Sequence, residues 1–286
     1  MLTLLFDGIA YGMLLFVLAV GLAVTLGLMN FVNLAHGAFA MAGGYVTVLL
    51  MERAGVPFLA TLPLAFLLPA IVGAVAERLL YRPMYHRSHL DHVLFSIGIV
   101  FMAVAAVDYL VGSQQQIIKL PAFLQGRFEI GDVGIGKYRL FIVVLCLVLT
   151  AILQLILART RFGSRLRASV DDPRVAAGLG INVNQVFSVT FAVGSGLAGL
   201  GGALGAEVLG LDPSFPLKFM IYFLIVVSVG GTTTITGPLL AALLLGIADV
   251  FGKYYVPKLG AFVVYTLMVV ILFWRPQGLF GRAATR

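Results

Sequence analysis

Charge is what this sequence has least of. Only 11% of its 286 residues are Asp, Glu, Lys or Arg, 61% are hydrophobic, and the mean hydropathy is +1.07. Soluble domains carry about 25% charged residues. So little polar material cannot cover a water-soluble globule, and so much apolar material excludes a disordered chain. A bilayer is the solvent that fits. Cysteine is nearly missing too. Cys146 alone excludes an internal disulfide and any multi-thiolate metal site. Four histidines, His36, His86, His89 and His92, leave metal chemistry little to work with. Catalytic signatures are also absent: there is no H-E-x-x-H and no G-x-S-x-G. Gly252-Lys253 is no phosphate loop, because Ile247 stands where that motif needs glycine and Tyr254 replaces its Ser/Thr. No catalytic residue, metal or cofactor is expected in this chain, which reads as a non-enzyme; ATP coupling has to come from other subunits.

What is present is a series of apolar runs, at about 6–28, 37–51, 58–80, 93–112, 138–158, 185–209, 218–231, 238–252 and 260–274. A spanning helix needs about 20 residues. The pattern therefore predicts an all-α, polytopic membrane protein, one transmembrane domain over 1–286 with eight or nine spans. The runs 37–51, 218–231 and 238–252 are short enough to be broken or re-entrant. The N-terminus has no basic region before its first apolar run and reads as a retained first span. Net charge is +7, and in a membrane protein this points to basic cytoplasmic loops rather than nucleic acid. Three clusters stand out: Arg78, Arg82 and Arg87; Arg159, Arg161, Arg165, Arg167 and Arg174; and Arg275, Arg282 and Arg286. Even numbers of spans separate them, which puts all three in the cytoplasm and, by parity, the N-terminus outside. The connection 113–137, opening on Ser113-Gln114-Gln115-Gln116, reads as an irregular external cap.

Three segments invite a functional reading. Asn30, Asn33 and His36, followed by Gly37, interrupt hydrocarbon; at spacing three they fall on one helical face. They fit either a polar stripe along a translocation route or interhelical hydrogen bonding worth about 1 kcal/mol. Gly230-Gly231-Thr232-Thr233-Thr234, running on to Gly237-Pro238, cannot continue a helix, so it is either irregular backbone lining a path or a tight helical hairpin. In the cytoplasmic connection 159–184, Asp172 supplies an N-cap, Pro173 a first helical residue and Gly178 a stop. This predicts a short amphipathic helix outside the bilayer, which suits a subunit that a partner must push. Small residues at Gly194/Ala198/Gly202, Gly201/Gly205 and Gly8/Gly12 predict close helix packing. Glu77, Asp108, Glu207 and Asp249 lie near span ends, where interfacial pairing suffices, and this weakens a proton-relay reading.

The ordered set Gly21–Gly27, Asn30-Phe-Val-Asn33-Leu-Ala-His36-Gly37, Glu77-Arg78-Leu-Leu-Tyr81-Arg82-Pro83, Asp172–Asn182 and Gly230–Pro238 resembles the permease subunits of branched-chain amino acid ABC importers, the LivH/LivM family, and LivH more closely. The resemblance implies a heterodimer with a second homologous permease subunit, two cytoplasmic ATPase subunits that carry the ATP, a periplasmic solute-binding protein, and a bacterial inner-membrane location. It implies ATPase coupling through Asp172, Pro173, Arg174, Ala177, Gly178, Leu179 and Gly180. It also places Asn30, Asn33, His36, Gly37, Gly230, Gly231, Thr232, Thr233 and Thr234 at or near the translocation pathway. The threonine run departs from the Gly/Ser-containing stretch common in relatives and leaves the solute open, since similar permeases are associated with urea, amides and aromatic acids. An ion-coupled secondary transporter is the rival class.

Overall fold

The computed structural model describes residues 1–29, 33–85, 87–131, 133–231 and 234–279. Asn30, His86, Thr232, Thr233, Arg282 and Arg286, singled out above, lie outside the described residues.

Eleven α-helices are described: α1 (Leu2–Met29), α2 (His36–Ala54), α3 (Phe58–Ala76), α4 (His89–Val111), α5 (Lys137–Arg159), α6 (Arg161–Asp171), α7 (Pro173–Gly178), α8 (Val183–Leu209), α9 (Phe215–Gly230), α10 (Thr236–Tyr255) and α11 (Gly260–Trp274). Helices α1, α3, α4, α5, α8 and α10 are long and apolar enough to cross a membrane; α9 and α11 are apolar but shorter. The connection 113–137 carries more structure than expected. There β1 (Arg127–Ile130) pairs antiparallel with β2 (Val133–Gly136), and Gln116 forms an isolated bridge with Leu211. This ribbon is the departure from an all-helical chain among the described residues.

Helices α1 and α8 form the centre, with most of their length buried, whereas α4 and α5 turn most of their surface outward. Lipid gives apolar helices no hydrophobic reason to associate, so close backbone packing has to do it. The small residues of α8 serve this purpose. Gly194 lies against Gly21 of α1, and Gly201 against Leu18, which makes the two helices antiparallel. On the other flank a Cβ on Gly202 would overlap the carbonyl oxygen of Ala40 in α2. Helix α10 also runs antiparallel to α1, Gly8 against Ile247 and Gly12 against Ala242. The predicted packing role of the small-residue spacings therefore holds.

The described members of the three arginine clusters share one end of the bundle. Arg82 reaches Ser188 at the start of α8, Arg167 borders the same groove as Thr234, and Arg275 bonds Leu279, whose N–H donates to Val229. The opposite end holds the Asp7–Arg139, Asp212–Lys218 and Asp249–Lys253 pairs.

Candidate functional site

The first candidate segment is not one helix. Helix α1 ends at Met29, Asn33 sits in the linker, and His36 opens α2, so these residues do not share a continuous helical face as spacing suggested. His36 lies instead beside the middle of α1, its Nε2 donating to the Leu18 carbonyl at 2.9 Å. Helix α2 thus begins at mid-depth of the bundle, at a level α1 has already passed. Edge-on, the His36 ring meets Phe223 of α9 at 6.3 Å, and Gly37 abuts Pro216. Asn33 Oδ1 accepts from the Ala35 N–H and from the Tyr81 hydroxyl, both at 3.1 Å. Asn33 and His36 are buried and bonded to protein, and join α1, α2, α9 and the end of α3.

A second cluster carried no site role in the sequence reading. After α3 the helix widens into a π-helical turn, Glu77–Tyr81, followed by a 3-10 turn, Arg82–Met84. Glu77 is fully buried. Its carboxylate accepts from Arg82 at 3.2 and 3.4 Å, from the Tyr85 hydroxyl at 2.8 Å, and from Ser188 Oγ. Arg82 Nη2 also donates to Ser188 Oγ at 2.9 Å. A buried charge needs this many partners, because unpaired it costs several kcal/mol. The cluster ties the end of α3 to the first turns of α8. Of the two arginines that follow Glu77 in sequence, Arg82 is the partner and Arg78 is exposed. The only sequence signal was a glutamate and an arginine five apart at the end of an apolar run.

The Gly230–Thr236 break is where the composition placed it. Helix α9 stops at Gly230, Gly231 takes φ +79°, which favours glycine, and α10 starts at Thr236. The helices close tightly there, Gly230 against Pro238. Thr234 Oγ1 accepts from the Gly237 N–H at 3.3 Å and so caps α10. It also borders a mainly apolar groove of about 470 Å³ with Val24, Gln154, Leu166 and Arg167. Gly278 and Leu279 cover the glycine pair from outside.

The connection 159–184 folds into two short helices rather than one. Helix α6 is amphipathic, burying Gly163, Leu166 and Ser169 and exposing Arg161, Arg165 and Arg167. Helix α7 follows, with Asp172 Oδ1 accepting from the N–H groups of Arg174 at 2.8 Å and Val175 at 3.0 Å. The helix ends at Gly178, as expected, and Gly180 at φ +81° takes the left-handed turn beyond it, where the Ile181 N–H closes back on the Ala176 carbonyl at 3.0 Å. Ala176 alone anchors the helix inward. Asp172, Pro173, Arg174, Ala177, Gly178, Leu179 and Gly180 are all exposed. Val175 and Leu179 are 59% and 76% exposed, two apolar side chains presented at the arginine-rich end.

A multi-helix apolar bundle, closed by backbone packing and carrying a capped two-helix projection at its basic end, defines a polytopic membrane protein. The family model described as "Branched-chain amino acid transport system / permease component" matches residues 4–272, and the chain belongs to that family. It is 29% identical to the high-affinity branched-chain amino acid transport system permease protein BraD of Pseudomonas aeruginosa, over 97% of this chain and 95% of BraD. It is also 29% identical to the probable branched-chain amino acid transport permease protein LivH of Methanocaldococcus jannaschii, over 96% and 90%. With LivM of Escherichia coli the identity is 26%, over 93% of this chain but 68% of LivM, so the chain stands closer to LivH. No solved structure matches it.

Proposed function

We propose that this chain is the LivH-type permease subunit of an ATP-driven importer of branched-chain amino acids, crossing the bacterial inner membrane eight or nine times within one transmembrane domain. Its arginine-rich end faces the cytoplasm, by the positive-inside rule. It works with a second, homologous permease, two cytoplasmic ATPases that bind the nucleotide, and a periplasmic binding protein. A pair of related permeases suits the similarity of this one chain to both LivH and LivM.

The observation that carries the reading is α7: a capped helix that buries one residue and exposes the rest, Val175 and Leu179 included, at the basic end. A solute path has no use for it; a docking ATPase does. Closure of the ATPases displaces α6 and α7. Four residues join α7 to α8, and Glu77 ties the start of α8 to α3 through Ser188. Displacement at α7 therefore reaches the central helix, which rocks with α1, α2 and α3 against the partner permease and alternates access. In this reading Asn33, His36 and Gly37, with Gly230, Gly231 and Thr234, border the moving parts near the pathway. The test is Leu179→Glu together with Asp172→Ala. Both are expected to keep the subunit in the membrane, reduce its co-purification with the ATPases at least fivefold, and abolish ATP-driven leucine uptake in proteoliposomes. Undiminished assembly and uptake would overturn the coupling role.

A further inference from the structure

At the end of the bundle opposite the arginine clusters lies a half-open cavity of about 410 Å³, walled by α1, α5, α8, α9 and α10. That volume is in the range of small-molecule sites, roughly 300–1,000 Å³. Its polar lining is five ionic side chains, Asp7, Arg139, Lys218, Asp249 and Lys253, with the tyrosines Tyr11 and Tyr222, and among them stand Leu14, Ile142 and Phe219. Each cation is already paired: Arg139 with Asp7, Lys253 with Asp249 at 2.6 Å, and Lys218 with Asp212 just outside. The ensemble is therefore charge-balanced. It is not saturated. Asp249 is 2% exposed, and its Oδ1, like Oδ1 of Asp7, is buried with no hydrogen-bond partner. An ionised oxygen buried in this way calls for a donor. The cations keep spare N–H groups, since one bond to a carboxylate uses one of three on lysine. The two signs also differ in exposure: Asp249 is buried, while the Lys218, Lys253 and Arg139 side chains are 56%, 54% and 42% exposed. Among the described residues no three acids or histidines gather as metal ligands.

We propose that this vestibule is a binding site for a zwitterionic apolar amino acid, with the ammonium group directed inward to Asp249 and Asp7, the carboxylate held near the mouth by Lys218 and Lys253, and the side chain against Leu14, Ile142 and Phe219. A ligand bearing both charges satisfies the free acid oxygens and the spare lysine donors without disturbing the balance; a ligand bearing one charge does not. The site rests on the transport reading, under which this end receives solute from outside.

The test is equilibrium binding of three probes to the assembled transporter in nanodiscs without nucleotide or binding protein: L-leucine, 3-methylbutylamine and 4-methylpentanoate, which share the side chain and differ in charge. Saturable leucine binding is expected, with the amine and the acid each about tenfold weaker or worse, the loss that follows from one charge-assisted bond. Asp249→Asn should weaken leucine binding about tenfold. Lys218→Gln, at a largely exposed side chain, should weaken leucine binding but leave the amine unchanged, and it decides the matter if Asp249→Asn fails to assemble. Absence of saturable leucine binding, equal binding of a single-charge probe, or leucine affinity unmoved by these substitutions overturns the site. ATP-driven uptake by the same purified wild-type transporter, reconstituted into proteoliposomes with its binding protein, separates the two readings: uptake without direct binding sinks the vestibule alone, and binding without uptake sinks the importer alone.

Discussion

At the scale of single residues, Glu77 carries the most consequence. Glu77→Ala would strand Arg82, Tyr85 and Ser188 donors in a buried site. It should lower stability by about 2–3 kcal/mol, read as a fall in detergent-solubilised Tm, since removing one partner of a buried ionic cluster costs that order. Ser188→Ala removes one donor and should cost about 1 kcal/mol. Asp212 makes a pH-dependent contribution. Partial burial works to raise its carboxyl, but the hydrogen bonds from Lys218 and Ser214 outweigh this and hold it below the usual carboxylate range. A carboxyl depressed in the folded state stabilises fully above its unfolded value near 4 and loses that contribution as pH falls through the lower folded value. Asp212→Asn should therefore lower Tm at pH 7, where the contribution is whole, and flatten the drop in Tm between about pH 5 and pH 3.

The helices and their junctions show where a sequence speaks and where it is silent. Every apolar run became a helix, because backbone in lipid must satisfy its own hydrogen bonds. The small-residue stripe on α8 predicted close packing, and Gly43, Gly194 and Gly202 supply it. Gly202→Leu should accordingly disrupt the α2–α8 contact and abolish membrane accumulation. Gly98→Leu, on a face of α4 with open space, should accumulate at wild-type level, as measured by quantitative immunoblot. Local signals also found the Asp172 cap and the Gly231 break. What the sequence could not show was anything set by distant neighbours. Asn33 and His36 look like a helical stripe at spacing three, yet α1 ends at Met29 and α2 opens only at His36, and their partners are Tyr81 and Leu18. Arg78 and Arg82 both follow Glu77 in sequence, and the π-helical turn leaves Arg78 exposed while Arg82 and the distant Ser188 bond the carboxylate. Gly178 ends α7 as its composition suggested, but the left-handed turn that closes the helix falls at Gly180. The acids Asp7 and Asp249 are 242 positions apart and line one cavity because α1 and α10 pack antiparallel.

For the molecule as a whole, the two ends differ in chemistry, and this yields a direct check of orientation. Cys146 is fully buried and gives a silent background. A membrane-impermeant maleimide should label Leu259→Cys in intact spheroplasts and Leu179→Cys only after permeabilisation; the reverse pattern would invert the topology. The same asymmetry bears on how the chain is made. Residues 1–76 hold a single basic residue, Arg53, and it sits at the end away from the arginine clusters, beside the α2–α3 turn where Phe58 meets Tyr138. The first three helices thus leave the ribosome with no retention signal on the correct side and one weak signal on the wrong side. Their final orientation has to await emergence of Arg78, Arg82 and Arg87, so a nascent chain truncated before residue 77 should insert in both directions.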